Sequence, residues 1–252
     1  YNGQIFLAFK SADSGNHIHV ARVKSDGEIQ RSDRLRSRTS KTPALAEYRG
    51  RLWMTFRSAD SSGHIYVQSY DGHGWSKPTK LRFRTSQGPA LAVHDGRLHL
   101  VWRGDNNDSL YTANFDGKKW SDSVKLPFKS RTTPALSTYN GRMYMVFHPP
   151  GFMYFHAAFR GQNGEWAPLR FSSRLSTNQY PALVVNDGQL YLAQGSSGNK
   201  KELLSTAIRN DKTAVLGSSS KRPAMVSHKG SLYHGQESVP RNKIYVKKLK
   251  KN

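Results

Sequence analysis

The chain has 252 residues, 36% hydrophobic and 11% aromatic, which is enough to build a sizeable core and excludes disorder. Cysteine is absent, which excludes disulfides and thiolate metal sites, and no apolar run approaches the roughly 20 residues of a membrane helix, so no membrane span is expected. Lys and Arg total 39 against 17 Asp and Glu, a formal +22 that steers anionic partners to the surface, whether polysaccharide, nucleic acid or acidic membrane.

Taken in order, the chain is a succession of short apolar runs cut by turn residues. The clearest module has runs at 89–93, 97–102 and 110–115, then a more polar run at 123–128. Asp95-Gly96 and Asp116-Gly117 are tight-hairpin signals, because Gly supplies the positive φ such turns need. One module therefore predicts four antiparallel strands, A to D. The A–B turn glycine recurs at Gly3, Gly50, Gly96, Gly141, Gly188 and Gly230, with spacings of 47, 46, 45, 47 and 42. Strand A opens with Pro43, Pro89, Pro134, Pro181 and Pro223, where a proline costs no ladder hydrogen bond. Repetition at this period is the signature of propeller blades. The expected fold class is all-β, a β-propeller of six repeats of four-stranded antiparallel blades. The first and last are incomplete: repeat one lacks strand A, and repeat six stops after the strand at 243–249. No linker interrupts the pattern, so 1–252 reads as a single domain. A start at Tyr1, without Met or signal sequence, suits a processed secreted protein or a trimmed chain, and secretion is the expectation.

Tight A–B and C–D turns share one face, so the longer B–C and D–A connections share the other. At the end of strand B, Lys10, Arg57, Arg103 and His148 stand seven residues after their turn glycines, while Gly195 and Glu237 hold that register in the later repeats. The D–A connections add Arg36 and Arg38, Arg82 and Arg84, Lys129 and Arg131, Arg170 and Arg174, and Lys221 and Arg222. Arginine suits carboxylate and sulfate through its planar, bidentate fork; solubility is the competing explanation. The tyrosines Tyr66, Tyr111, Tyr154 and Tyr245 carry polar tips that a groove could use. Trp53, Trp75, Trp102, Trp120 and Trp166 occupy repeated packing positions and read as core, and Asp71 and Asp116 as turn formers.

The recurring P-A-L, the N-G-R or D-G-R turn, and the D-G-x-x-W of Asp71 to Trp75 and Asp116 to Trp120 resemble the sialidase-like family of β-propeller repeat proteins, including tandem-repeat propeller lectins. In that family's Asp box, Ser and Asp brace the C–D hairpin. Ser69-Tyr70-Asp71 with Trp75 occupies the place here, one residue short, and Asn114 stands where the second repeat of the motif would have Ser. The F-R-I-P segment is absent, so what the resemblance implies is architecture and glycan binding rather than sialoside hydrolysis.

His17 and His19 lie on one side of a strand without a third ligand, and Asp105-Asn106-Asn107-Asp108 lacks the spacing of a calcium loop, so no metal or cofactor is expected. His148 and Tyr154 amid arginines could serve a polysaccharide lyase. A glycoside hydrolase needs paired carboxylates, and the candidates Asp13, Asp60, Asp105, Asp108, Glu202 and Glu237 are scattered over different repeats. The reading favours a lectin capturing acidic or cell-surface glycans multivalently through Lys10, Arg57, Arg103, His148, Tyr66 and Tyr111. The alternative is a polysaccharide lyase or a sialidase-like glycoside hydrolase acting on an acidic glycan, for which His148 and Tyr154 are the candidate catalytic residues. Nucleic acid would bind only non-specifically, for no recognised module is present.

Overall fold

The computed structural model describes residues 1–169, 180–195, 202–207, 213–218, 224–237 and 244–249, with backbone alone at 195, 202–207, 213–218, 236–237 and 244. It divides into two compact units, one of residues 1–22 and 30–133, the other of residues 23–29 and 134–252.

The first unit is built from three antiparallel sheets in chain order. β1 (Ile5–Lys10), β2 (His17–Val23) and β3 (Ile29–Arg38) form the first. β4 (Ala44–Tyr48), β5 (Arg51–Arg57), β6 (His64–Tyr70) and β7 (Thr79–Arg84) form the second, and β8 (Ala90–His94), β9 (Arg97–Arg103), β10 (Ser109–Phe115) and β11 (Val124–Lys129) the third. In the second unit, β12 (Ala135–Tyr139), β13 (Arg142–Phe147), β14 (His156–Arg160) and β15 (Trp166–Leu169) are followed by β16 (Ala182–Asn186), β17 (Gln189–Gly195), β18 (Glu202–Ala207) and β19 (Thr213–Ser218). β20 (Ala224–His228), β21 (Ser231–Glu237) and β22 (Ile244–Lys248) complete it.

The expectation of six four-stranded blades is corrected. Among the described residues, four sheets have four strands and two have three. The first sheet opens on the strand that follows the Asn2-Gly3 turn, and the last has no described strand after β22.

Local chemistry explains the hairpins. At each A–B turn both central residues have positive φ, as at Arg49 and Gly50 (49° and 68°) and at Asp95 and Gly96 (47° and 64°), which is the type I′ turn whose twist matches antiparallel strands. A Cβ at Gly50 or Gly96 would meet nothing within 4 Å, so glycine is there for its backbone and not for space. The C–D hairpins use Asx turns: Asp71 Oδ1 accepts from the amides of His73 (2.9 Å) and Gly74 (3.0 Å), and Asp116 Oδ1 from Lys118 (2.7 Å) and Lys119 (2.8 Å). These amides hold both carboxyls below the usual range.

Sheets pack through their apolar faces. In the first unit Tyr48, Ile65, Phe83, Leu98, Leu100, Trp102 and Phe115 share one buried cluster, and Ile18, Val20, Met54 and Phe56 another. In the second unit Val146, Phe155, Leu183 and Leu192 form the core. Tyrosines just before the A–B turns staple successive hairpins: Tyr1 donates to Gly50 O (3.1 Å), Tyr48 to Gly96 O (2.9 Å) and Tyr139 to Gly188 O (2.6 Å). The β2–β3 turn belongs to the second unit, where Tyr233 donates to Ser25 O at 2.7 Å.

Candidate functional site

The B–C and D–A connections of the first unit are locked together by a repeated clip. Thr39 N–H donates to Asn16 O, Thr85 N–H to Gly63 O and Ser130 N–H to Asp108 O, each at 2.8 Å. Thr39 Oγ1 lies 2.7 Å from Arg57 O, and Thr85 Oγ1 2.7 Å from Arg103 O, so each hydroxyl ties its connection to strand B of the next sheet. All three clip residues are fully buried. Ser40 and Ser86 repeat the device on Ser58 O and Gly104 O, both at 2.9 Å.

These clips account for the basic residues at the ends of strand B. Arg57 Nε donates to Thr85 O (2.8 Å), while Nη1 reaches Ser40 Oγ, Ser58 O (3.2 Å) and Asp60 O (3.3 Å). Arg103 bonds Ser86 Oγ and pairs with Asp108, and Lys10 donates to Asn16 Oδ1 at 3.1 Å. His148 is buried, with Nε2 2.9 Å from Phe152 O in its own loop, whereas Tyr154 stands at the surface. The structure therefore places Lys10, Arg57 and Arg103 as braces of the first unit's connections and His148 as a brace of its own loop in the second unit. It does not bring His148 and Tyr154 to one open surface.

An open pocket of about 570 Å³ lies where the first two sheets meet. Arg36, Ser37 and Arg38 at the end of β3 line it, with Phe56, Asp60 and Tyr66 opposite. Phe56 and Tyr66 are cross-strand partners with rings 5.7 Å apart and only 15° from parallel, and a β-bulge just before Tyr66 aims it at this edge. Asp60 is exposed, and its carboxylate is held by its own loop: Ser58 and Ser62 hydroxyls, with the Ser62 amide, bring it down to about 2, so it is an ionised acceptor at physiological pH. The Tyr66 hydroxyl makes no hydrogen bond among the described residues, which leaves a donor at the rim of the pocket.

The remaining candidates fall elsewhere. Tyr111 stacks on Trp102 at 5.9 Å, and Trp102 is core; Trp53 and Trp120 pack against the same cluster and Trp75 against its neighbour. His17 is held between Leu35 O and Arg34, while His19 stacks on Phe9 at 5.4 Å. Asp105 and Asp108 are paired with Arg84 and Arg103, and Asn107 Oδ1 accepts from Ser109 N–H, so this tetrad is a braced loop. Among the described residues no group of three His, Asp or Glu could hold a metal ion. Arg170, Arg174, Lys221 and Arg222, and the side chains of Glu202 and Glu237, lie outside the described residues, and Gly195 is described by its backbone as the end of β17. Sequence reasoning missed Ser37, Phe56 and the threonine clips; the recurring R-T-S at 38–40 and 84–86 was the available signal.

No family model matches the chain, and no curated protein does. Solved structures do. A protein in a nidogen/laminin complex is 15% identical with a TM-score of 0.66, covering 98% of this chain and 90% of that one. The Aleuria aurantia lectin, a six-bladed β-propeller with a fucose-recognition mode, is 12% identical with a TM-score of 0.62, covering 99% and 96%. A Bacillus subtilis arabinanase is 12% identical with a TM-score of 0.55, covering 82% and 93%. At these identities the likeness defines the fold, an all-β β-propeller, a class that includes both propeller lectins and propeller glycoside hydrolases.

Proposed function

We propose that this chain is a secreted carbohydrate-binding protein of the lectin type, capturing acidic or cell-surface glycans through its loop face, with kinship to the sialidase-like propeller repeats. The observation that carries the reading is the pocket between the first two sheets. It combines the half-buried Tyr66 ring, backed by the buried Phe56, for a sugar's apolar face, the ionised Asp60 for its hydroxyls, and two guanidinium groups. The Aleuria aurantia lectin, similar across nearly its whole length, recognises fucose and lends the reading support by analogy. Lys10, Arg57, Arg103 and His148 act in this scheme by holding the loops in place, and Tyr66 by touching the sugar. Tyr111, beside the next sheet's loop, is the counterpart that a multivalent form of the reading would use.

The likeness to an arabinanase supports a second reading, hydrolysis of a glycan. Against hydrolysis in this pocket, Asp60 is the one carboxylate in its lining, where the two-carboxylate mechanism needs a pair, and its Ser58 and Ser62 hydrogen bonds favour the ionised form over a general acid. A glycan array followed by product analysis separates the two. Retention of an unaltered glycan, weakened roughly tenfold or more by Tyr66→Ala through loss of stacking, supports the lectin. Release of shortened or unsaturated products overturns it.

A further inference from the structure

We infer that the pocket between the first and second sheets is a dedicated site for one acidic sugar, opened by Ser37 and charged by Arg36 and Arg38, whereas its neighbour in the same unit is closed. The inference rests on the glycan-binding reading and narrows it to an anionic ligand and one groove.

The argument comes from comparing equivalent positions. Ser37, Phe83 and Phe128 precede their strand-opening prolines by the same interval, and Ser37 and Phe83 each lie two residues before the clip threonines Thr39 and Thr85. Phe83 is buried and stacks on Trp102 with rings 4.6 Å apart, filling the space between the second and third sheets. Trp102 is the counterpart of Phe56, as each is the cross-strand partner of a strand-C tyrosine. At the first groove a serine replaces the phenylalanine, and its hydroxyl turns aside to Gln68 Oε1 at 2.7 Å. Phe56 is itself buried, so it is the half-buried ring of Tyr66, stacked on Phe56, that lines the pocket where the phenylalanine is missing. A pyranose ring has the breadth and the apolar face to take that place.

Charge differs in the same direction. Arg82 and Arg84 of the second sheet are ion-paired, with Asp122 at 2.5 Å and Asp105 at 3.0 Å. Their equivalents Arg36 and Arg38 are exposed, lie on one side of β3, line the pocket, and have no ion pair or hydrogen bond among the described residues. Two unpaired guanidinium groups at the edge of a sugar-sized space suit a carboxylate or sulfate bidentately. Asp60, across the pocket, repels an anion placed on its own side and accepts hydroxyls there, which orients the sugar with its charged substituent towards β3.

The test is calorimetric titration of the full chain with three disaccharides of matched size, one sulfated, one uronate-containing and one neutral. The short ligands limit diffuse binding to a +22 surface. An acidic disaccharide is expected to bind in preference to the neutral one, and the sulfated and uronate arms identify which anion the clamp takes. Arg36→Ala with Arg38→Ala should weaken it at least about tenfold, the worth of one charge-assisted bond. Arg82→Ala with Arg84→Ala removes the same formal charge and should leave affinity within about twofold. Ser37→Phe should abolish binding, with Ser37→Leu as a smaller plug and circular dichroism confirming that each is folded. Equal weakening by the two double variants, or full binding by folded Ser37→Phe, overturns the inference. A neutral disaccharide binding as tightly as the acidic ones, but lost in Ser37→Phe, would keep the glycan reading and remove the anion clamp. No binding of any sugar would remove both.

Discussion

At the scale of single residues, glycine does two different jobs in this chain, and the two are separable by experiment. Gly50 has φ of +68° and open space around it, so Gly50→Ala meets only the left-handed backbone penalty, about 1 kcal/mol. Gly50→Asn should cost less, since asparagine tolerates that conformation. Gly88 is the reverse case. A Cβ there would sit 2.6 Å from Thr42 O, which is backbone and cannot swing aside, so Gly88→Ala should destabilise more than Gly50→Ala. Urea unfolding of the two variants checks the order.

At the scale of elements, the connections between strands carry as much order as the strands. Thr85 is fully buried, and its hydroxyl serves Arg103 O while accepting from Gln87 N–H at 3.1 Å. Thr85→Val keeps the shape and strands those groups, for an expected loss of about 1–3 kcal/mol, whereas Thr85→Ser should recover most of it. Denaturation midpoints of the pair measure this. β21 contributes a pH dependence. His234 is buried, its Nε2 has no hydrogen-bond partner among the described residues, and burial, with the nearby Lys247 charge, pushes its pKa down to about 4. A histidine depressed on folding contributes stability that is fully present above its unfolded pKa of about 6.5 and declines as pH falls from there towards 4. Burial lowers His156 and His228 in the same sense. Thermal melting between pH 7.5 and 5 should show a falling midpoint, and His234→Leu should flatten it.

At the scale of the molecule, the formal +22 acts on stability and on binding with opposite signs. Self-repulsion opposes the compact state, and salt relieves it, with a screening length of about 8 Å at physiological ionic strength. Raising NaCl from roughly 0.05 to 0.5 M should therefore raise the melting temperature while weakening an acidic glycan, the Debye length shrinking across that range. A binding constant indifferent to salt would mean that the charge plays no part in recognition.

The sequence by itself determined the turns, the strand boundaries to within about a residue and the repeating register, because positive φ, Asx capping and alternation are local properties of neighbouring residues. It also marked the loop-bearing face, since tight turns leave little room for a ligand. It did not show that Arg57 and Arg103 are braces. Their partners, Thr85 O, Ser40, Ser86 and Asp108, come largely from other connections, and only packing of one sheet on the next brings them within reach. The open groove was decided in the same way. Ser37 in the place of Phe83 is visible in the aligned repeats, yet a serine becomes a pocket only when the neighbouring sheet supplies Phe56 and Tyr66 as its opposite wall. Contacts within a hairpin follow from adjacent residues, whereas contacts between sheets depend on how whole faces meet, and it is the latter that built this site.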